Sequence, residues 1–424
     1  MKLQFVTSMV KGVLGEKRRQ FSEQSLFFIA MLGKEILILM AAVTVSMLGL
    51  TVIAPLIPHY VNTMGIGGFG IGALFASFSL TRIIVTPFIG ARSDRSGRKQ
   101  FICAGLILYA VVSLLYIPAH TIYLLILVRM LHGFSAALII PVSLAYAGDL
   151  AGEGKEGRVI STMLTVIFVG AGLGPLLGGF VHHYFSYQTV FLVLAILGVL
   201  AFAVVRFGLP ETRKEGEREK SFITFKELLR KDILKVLLIW GVSAPMGKAM
   251  ILAFLPVVGM KMGITPIQSG LVISGFIIFM GLLQAPIGAR LDRIPNMKKV
   301  FLLFTGTLII AVGLFFFPGC GSLPALFVAA GVVAVGSAIA FPVGFDIATV
   351  LGKHGGMGLV IGLLSTSFNV GNAVTPLLAG VVYDLFNLSA AFYVIAIVIL
   401  AAKVTCYYFA SRWLEEKVGK EKGR

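Results

Sequence analysis

Twelve long apolar runs divide this chain, and each is long enough to cross a lipid bilayer as a helix. A helix needs about 20 apolar residues to span the ~30 Å hydrocarbon layer, and strands are much shorter. The runs cover residues 36–58, 68–90, 101–118, 121–148, 158–183, 187–207, 233–259, 266–289, 299–318, 322–350, 357–384 and 388–410. We therefore predict an all-α integral membrane protein with twelve transmembrane helices.

The composition argues against a soluble protein. Hydrophobic residues make up 58% of the chain and charged residues 13%, whereas about 25% of a soluble domain is charged. The net charge of +17 would favour nucleic-acid binding in a soluble protein, but here the cations lie in short loops between apolar runs. We expect no nucleic-acid partner, and we attribute the excess to membrane orientation and to anionic membrane lipids.

Basic residues mark one side of the predicted membrane. The loops on the other side hold essentially Lys261 alone. The loops after the second, fourth, sixth, eighth and tenth runs hold Arg92, Arg95, Arg98, Lys99, Lys155, Arg290, Arg293, Lys298, Lys299, Lys353 and the cluster at 208–232. Because loops rich in Lys and Arg stay in the cytoplasm, both termini are predicted to be cytoplasmic in a multi-pass cell-membrane protein.

A charged interval divides the chain into two bundles of six helices. Residues 208–232 carry seven basic and six acidic side chains and form a predicted cytoplasmic central loop. The bundles cover 34–207 and 233–410, and a basic cytoplasmic tail follows at 411–424. The cytoplasmic extension at 1–33 fits an amphipathic helix on the membrane or a disordered segment, and both readings stay open.

The two bundles repeat each other. Met64-Gly65-Ile66 recurs as Met262-Gly263-Ile264 at an offset of 198. Val169-Gly170 with Pro175 recurs as Val370-Gly371 with Pro376 at an offset of 201. Six helices per copy bring both copies into the membrane in the same orientation, so an axis along the membrane normal relates them.

A polar turn follows the second run and recurs after the eighth. The first copy is Gly90-Ala-Arg-Ser-Asp-Arg-Ser-Gly-Arg-Lys99, and the reduced copy is Gly288-Ala-Arg-Leu-Asp-Arg293. Gly90 and Gly97 are expected to flank a tight turn where two helix ends approach each other. Asp94, among four cations, is placed for charge-assisted hydrogen bonds or for a helix N-terminus.

The two halves, the central loop and the GxxxDRxGRK turn resemble the major facilitator superfamily. Three further patterns resemble its drug/proton antiporter branch. They are Arg129 with Gly133, with His132 where a glutamine is usual; Gly170–Gly179 around Pro175; and Leu209-Pro-Glu-Thr212. The resemblance implies a monomeric secondary transporter with a small-molecule substrate and no cofactor, which uses protons and a proton gradient as its energy source.

By this resemblance, the turn is a conformational latch that holds the outward-facing state. Asp94 would dock near Gly355-Gly356, at the start of the eleventh helix, and Arg98 would pair with Asp149. The latch residues are Gly90, Asp94, Arg95, Gly97, Arg98 and Asp149, with Gly288, Asp292 and Arg293 as the reduced counterpart. The alternative is a basic turn that only fixes topology. Because only the first copy is complete, we expect its mutation to damage transport more.

Two further motifs each admit a structural reading. Gly170, Gly174 and Gly178 repeat every four residues, which favours close helix packing with a bend at Pro175. The resemblance adds that this motif, with Gly179, seals the contact between halves and favours efflux. Arg129 lies deep in the fourth run and is the proton-coupling candidate by resemblance; a structural arginine bonded to carbonyls is the alternative.

Basic residues within the membrane suggest the nature of the central cavity. Arg82 and Lys248 are costly inside a bilayer, and the first run lacks a mid-membrane carboxylate. The cavity candidates are Arg82, Lys248, Trp240, Gln284, Asn369 and Asn372. A basic cavity suits anionic or zwitterionic amphiphiles, but Arg82 and Lys248 could instead snorkel or pair within the bundle. The two asparagines could bind substrate or cross-link helices.

The sequence therefore predicts proton-coupled efflux of small amphiphilic or drug-like compounds by alternating access. A carrier of organic anions or metabolites on the same fold, and a non-transporting membrane sensor, are the alternatives. We expect no enzymatic activity, since no glycine-rich nucleotide loop precedes a Lys-Ser/Thr pair. We expect no metal site, because His182-His183 has no acid or cysteine pattern around it.

Overall fold

The computed structural model describes residues 33–151, 156–211, 232–288, 290–291, 294–355 and 357–422. This part of the chain is helical and contains no strand. The helices are α1 (Lys34–Val52), α2 (Gly68–Ser96), α3 (Lys99–Leu115), α4 (Ile122–Leu150), α5 (Glu156–Tyr184), α6 (Tyr187–Gly208), α7 (Asp232–Ser243 and Met246–Lys261), α8 (Pro266–Gly288), α9 (Asn296–Phe316), α10 (Leu323–Gly355), α11 (Met357–Leu385) and α12 (Leu388–Lys422).

Each predicted apolar run corresponds to one of these helices, and the all-α membrane fold is confirmed. Within the described residues, ten helical stretches are long and apolar enough to cross a membrane, and α3 is a shorter apolar helix. The extension 1–33 lies outside the described residues except for Gly33, and the central loop is described only at 208–211 and at Asp232.

The first helix of each bundle is interrupted. After α1, a 3-10 turn at Ala54–Leu56 leads into a short helix, Ile57–Met64. In α7 the interruption falls at Ala244 and Pro245. Proline causes such breaks because it has no N–H to donate and its ring clashes with the preceding turn.

The internal repeat is visible in the backbone. Gly65 and Gly263, the matched glycines of the repeated tripeptide, have φ angles of 63° and 72°. A left-handed residue that ends a helix favours glycine, because any Cβ would be strained there. The same tripeptide therefore recurs because both bundles need the same turn after their first helix.

The two bundles meet mainly through α2 against α11 and α5 against α8. Gly72 in α2 lies against the carbonyl oxygen of Pro376, and Gly270 in α8 lies against that of Pro175. An added Cβ at either glycine would overlap with the carbonyl. The two contacts are the same contact made twice, because Gly72 matches Gly270 and Pro175 matches Pro376 in the internal repeat.

Contacts of this kind lie at one end of the molecule. The end that carries Gly97 and Lys299 is called the basic end here, and the end that carries Gly68 and Leu385 is called the far end. Towards the basic end, Gly90 of α2 and Gly362 of α11 have no atom within 4 Å of an added Cβ. The glycine–carbonyl contacts between the halves thus lie near the far end, whereas the contact of α5 with α8 continues past the middle of α8, where an added Cβ on Gly281 would lie 3.2 Å from Phe168.

Candidate functional site: the ends of the bundles and the basic site between them

The turn at the basic end is shorter than the sequence indicated. Helix α2 continues through Gly90 as far as Ser96, and the chain reverses at Gly97, whose φ is 93°. A Cβ on Gly97 would lie 2.7 Å from Oε1 of Glu211. Gly97 therefore matches its prediction as a turn residue, whereas the expectation that Gly90 flanks the turn is wrong, because Gly90 lies within the helix and borders open space.

Arg98 joins the turn to the end of α4. Its Nε lies 2.8 Å from Oδ2 of Asp149, and its Nη2 lies 3.3 Å from Oδ1 of Asp94. The Arg98 and Asp149 side chains are 15% and 17% exposed, so water screens their attraction only in part. Asp94 is 62% exposed. The structure thus contains the predicted contact between Arg98 and Asp149, but its role as a latch stays a prediction.

The remaining latch candidates make few contacts or lie outside the described residues. Arg95 is exposed, and an added Cβ on Gly288 would meet only Pro342 at 3.9 Å, an ordinary contact. Asp292 and Arg293 lie outside the described residues. The predicted docking of Asp94 falls on Gly355-Gly356, where the residue at 356 and the surroundings of Gly355 also lie outside them.

The Leu209-Pro-Glu pattern anchors the end of α6 beneath the turn. Glu211 Oε1 accepts a hydrogen bond from the backbone N–H of Lys99 at 2.9 Å. The Tyr146 hydroxyl donates to the carbonyl of Pro210 at 2.7 Å. A carboxylate at the start of α3 satisfies a free N–H and opposes the positive helix end. The pattern therefore fixes where α3 begins.

The second bundle contains an ion pair that the sequence analysis missed. Lys299 Nζ, near the start of α9, lies 2.6 Å from Oδ2 of Asp346 in α10. It joins these helices as the pair of Arg98 and Asp149 joins α3 to α4. The expectation that only the first half keeps a complete set of contacts therefore overlooked this pair, because the acid lies several residues before the end of its helix.

A carboxylate joins the two bundles at the far end. Oδ1 and Oδ2 of Asp384, at the end of α11, accept hydrogen bonds from the N–H groups of Gly68 and Phe69 at 2.6 and 2.7 Å. These are N–H groups at the start of α2, where no carbonyl of the same helix is available and the helix dipole is positive. The sequence analysis gave this residue no role, since a carboxylate at a helix end is common.

The glycine–proline motif of α5 serves two neighbours. The glycines spaced four residues apart, which are Gly170, Gly174 and Gly178, face α1 within the same bundle. Gly179 instead faces α8, where a Cβ would lie 2.7 Å from the Pro266 carbonyl oxygen. With the contact of Pro175 against Gly270, these residues form the motif's contact with the other half. The regularly spaced glycines themselves are packing residues within one bundle.

Arg129 is buried beside α2. It is 1% exposed, its Nε donates to the carbonyl of Leu74 at 3.2 Å, and its Cζ lies 5.1 Å from the centre of the Phe78 ring. Its Nη1 has no hydrogen-bond partner among the described residues. These contacts match the structural reading of Arg129, and its proton-coupling role stays a prediction.

Arg82 and Lys248 bring positive charge into the middle of the membrane from opposite bundles. Both side chains are only partly exposed, and their charges are close enough to interact. Arg82 Nε is buried, and it has no hydrogen-bond partner in the described part of the chain. Among the described residues, neither side chain makes an ion pair with a carboxylate, so the alternative of pairing within the bundle finds no support there.

The uncharged cavity candidates separate into two groups. Trp240 is 2% exposed and packs against the rings of Phe341 and Phe368, so its assignment to the cavity is wrong. A large aromatic side chain fits a cavity wall and a buried core equally well, and here Trp240 is part of the core. Gln284 is partly buried, and its Nε2 has no described hydrogen-bond partner.

The two asparagines bond within their own helix. Asn369 donates to the carbonyl of Ser365 at 3.0 Å, and Asn372 donates to that of Phe368 at 2.8 Å. To the residues that the structure describes, neither forms the cross-link between helices that was one of their two readings. Each keeps a carbonyl oxygen as a possible acceptor for a bound molecule.

A helical membrane protein with two repeated halves in contact, and with a basic side chain at mid-depth in each half, has the architecture of a transporter. The sequence model described as "Major Facilitator Superfamily" matches residues 39–262 and 237–423, so the chain belongs to this superfamily. The resemblance stated from the turn motif is confirmed, and the chain is a multi-pass membrane transporter.

Relatives in two organisms are similar to the chain at the sequence level. An uncharacterized MFS-type transporter of Methanocaldococcus jannaschii is 27% identical over 365 residues, which cover 84% of this chain and 93% of the relative. The quinolone resistance protein NorA of Staphylococcus aureus is 30% identical over 221 residues. That alignment covers 50% of this chain and 57% of NorA.

Two solved structures share the fold. A bacterial homologue of the human lysosomal transporter Spinster, inward-facing and occupied, has a TM-score of 0.72 at 13% identity and covers 90% of this chain and 97% of its own. The human organic anion transporter MFSD10 has a TM-score of 0.65 at 19% identity and covers 88% of this chain and 98% of its own. At these identities the likeness concerns the fold alone.

Proposed function

We propose that this chain exports small amphiphilic compounds across the cell membrane in exchange for protons, by alternating access. The observation that carries the proposal is the uneven contact between the halves. Asp384 and the two glycine–proline contacts join them near the far end, whereas Gly90 and Gly362 border open space towards the basic end. A central site in such a molecule is accessible from one side at a time.

Export is the proposed direction of transport, and it begins at the basic end. Positively charged loops stay in the cytoplasm, so the space near Gly90 and Gly362 would open to the cell interior, where a substrate for export enters. The similarity to NorA, a quinolone resistance protein by its name, supports efflux of drug-like compounds. Export then requires the far-end contacts to break and the latch at the basic end to close on α11.

Proton coupling is the second part of the proposal. Arginine side chains do not exchange protons in proteins, so any coupling role of Arg129 must act through a neighbouring group. Tyr116 and His132 are close enough to interact electrostatically with Arg129, and the Tyr116 hydroxyl lies 3.2 Å from Nδ1 of His132. These three residues are the candidates for a proton-linked change in the first bundle.

Transport in proteoliposomes tests the proposal. The purified chain should move rhodamine 123 or fluorescein against its gradient when a pH gradient is imposed, and a protonophore should abolish the movement. Asp94→Asn should slow transport, and Gly331→Ala, at a helix position with open space around it, should not. Dye equilibration that responds neither to the pH gradient nor to the protonophore would indicate a uniporter and contradict exchange.

A carrier of organic anions on the same fold is the second candidate. The basic site formed by Arg82 and Lys248 favours it, because two unpaired cations attract anions. Parallel assays with both dyes separate the candidates, since fluorescein is anionic and rhodamine 123 is cationic on a similar xanthene ring system. Inward movement of fluorescein without proton exchange would favour this carrier.

A further inference from the structure

We propose that the transported compounds carry an anionic group, which binds between Arg82 of α2 and Lys248 of α7. This inference rests on the proposed function and narrows its substrate class to organic anions and zwitterions whose anionic group sits on an apolar body. Both residues lie deep in their helices, no described acid balances their charges, and the two helices belong to different halves.

Both residues lie halfway along their helices. Arg82 is the fifteenth residue of the 29 in α2 (Gly68–Ser96), and Lys248 is the seventeenth of the 30 in Asp232–Lys261. Since a helix rises about 1.5 Å per residue, each lies about 20 Å from the nearer end of its span. Substrates bind near the bilayer midplane in transporters with repeated halves, and both residues lie at that depth.

No acid among the described residues neutralises this pair. The carboxylates among the described residues lie towards helix ends, as do Glu35, Asp346 and Asp384. A charged side chain at the centre of a membrane is costly. The charges of Arg82 and Lys248 also repel each other. A bound anion would offset both costs, and no described side chain does so.

The two cations belong to different halves. Helix α2 is part of the first bundle, and the second part of α7 contacts it directly across the interface. An anion between them therefore bridges the bundles. A substrate that contacts both bundles can shift the equilibrium between the inward-open and outward-open states. Cζ of Arg82 lies 5.8 Å from the centre of the buried Phe78 ring, so the charge has an apolar neighbour on its own helix.

Binding of matched dyes tests the inference. The full chain, held in phosphatidylcholine nanodiscs, is titrated with fluorescein and with rhodamine 123. Arg82→Gln and Lys248→Gln should each weaken fluorescein binding at least tenfold and leave rhodamine 123 binding unchanged or tighter, because they remove attraction to the anion and repulsion of the cation. Lys261→Gln is the control, since it removes a positive charge from the exposed end of the same helix.

Three results would overturn the inference. The first is a fluorescein affinity within twofold of wild type in both variants, and the second is tighter binding of rhodamine 123 than of fluorescein by the wild type. The third is no saturable binding of fluorescein or of a second anionic probe, pyrenebutyrate. Size-exclusion profiles and melting temperatures establish that each variant is folded, and the wild-type dye preference decides the matter if a variant is not.

Two further arms separate the sources of the anion and the two proposals. If phosphatidylglycerol in the nanodisc displaces fluorescein, lipid headgroups reach the same site. If fluorescein binding is unchanged, the site binds free anions only. Either result supports a site for an anionic group. If the chain binds fluorescein through these residues but moves no dye under a pH gradient, the proposed export is contradicted and the anion site is not. If the chain exports rhodamine 123 but the two variants bind fluorescein as the wild type does, the anion site is contradicted and the proposed export is not.

Discussion

At the scale of single residues, the ion pairs at the basic end hold helix ends in place. Arg98 with Asp149, and Lys299 with Asp346, each fix the start of one helix against the next helix of the same bundle. Neither pair joins the two bundles. Their first effect is therefore on the stability of each bundle, and any effect on switching passes through the position of the turn.

These pairs can be compared by double-mutant cycles. For Arg98→Ala with Asp149→Asn we expect a coupling of about 1–3 kcal/mol, below that of a fully buried pair because both side chains retain some exposure. For Lys299→Ala with Asp346→Asn we expect a similar value. The free energy of unfolding in detergent micelles measures both cycles. Arg92→Ala, at an exposed cation of the same turn, is the control, and a coupling near zero in either cycle would contradict the expectation.

Arg129 allows a second prediction at this scale. Its guanidinium donates to the Leu74 carbonyl and lies near the faces of the Phe75 and Phe78 rings. Lysine keeps the charge but lacks the planar group that stacks and donates from Nε. Arg129→Lys should therefore reduce proton-driven dye transport at least tenfold. Normal transport would show that charge alone suffices, and Arg206→Lys, at an exposed arginine of the same bundle, is the control.

At the scale of elements, the contacts between bundles depend on glycines that meet proline carbonyls. Gly72→Ala and Gly270→Ala should each destabilise the packing at the far end by a similar amount, since each added Cβ would overlap with the opposing carbonyl. We expect slower dye transport in both, with Gly331→Ala as a matched control in open space. Transport at the wild-type rate in Gly72→Ala would show that this contact is not needed to seal the far end.

The sequence predicted most of the elements and fewer of their contacts. Apolar runs locate helices because a bilayer requires every backbone group to be bonded within the segment. Gly90 was misjudged because a polar turn motif also fits the last turn of a helix. Trp240 was misjudged because an aromatic residue suits a cavity wall and a core equally well. The role of Asp384 depends on a helix start 315 residues away, which local spacing does not reveal.

At the scale of the whole molecule, the internal repeat supplies two related sets of contacts, and the structure uses them unequally. Gly72 and Gly270 are both engaged at the far end, whereas Asp94 at the basic end is largely exposed. A transporter that alternates must keep the two sets close in energy, because a difference of 1.4 kcal/mol already shifts the population tenfold. Single contacts at either end should therefore change which state prevails.

Asp384 provides the most direct test of this balance. Asp384→Asn removes the negative charge from the start of α2 and weakens two hydrogen bonds, each worth about 1.5–3 kcal/mol when one partner is charged. The equilibrium should move towards the state that is open at the far end. Spin labels at Asn62 and Phe386, which are both exposed, report the distance between the halves there in a Cys320→Ser background.

The expected result is a longer distance in Asp384→Asn, with the population of the open far end raised about tenfold. Asn387→Ala is a close control, because Asn387 caps the N–H of Ala390 within one bundle and should leave the distance distribution unchanged. If Asp384→Asn also leaves it unchanged, the carboxylate only caps a helix, and the closure of the far end must rest on the glycine–proline contacts.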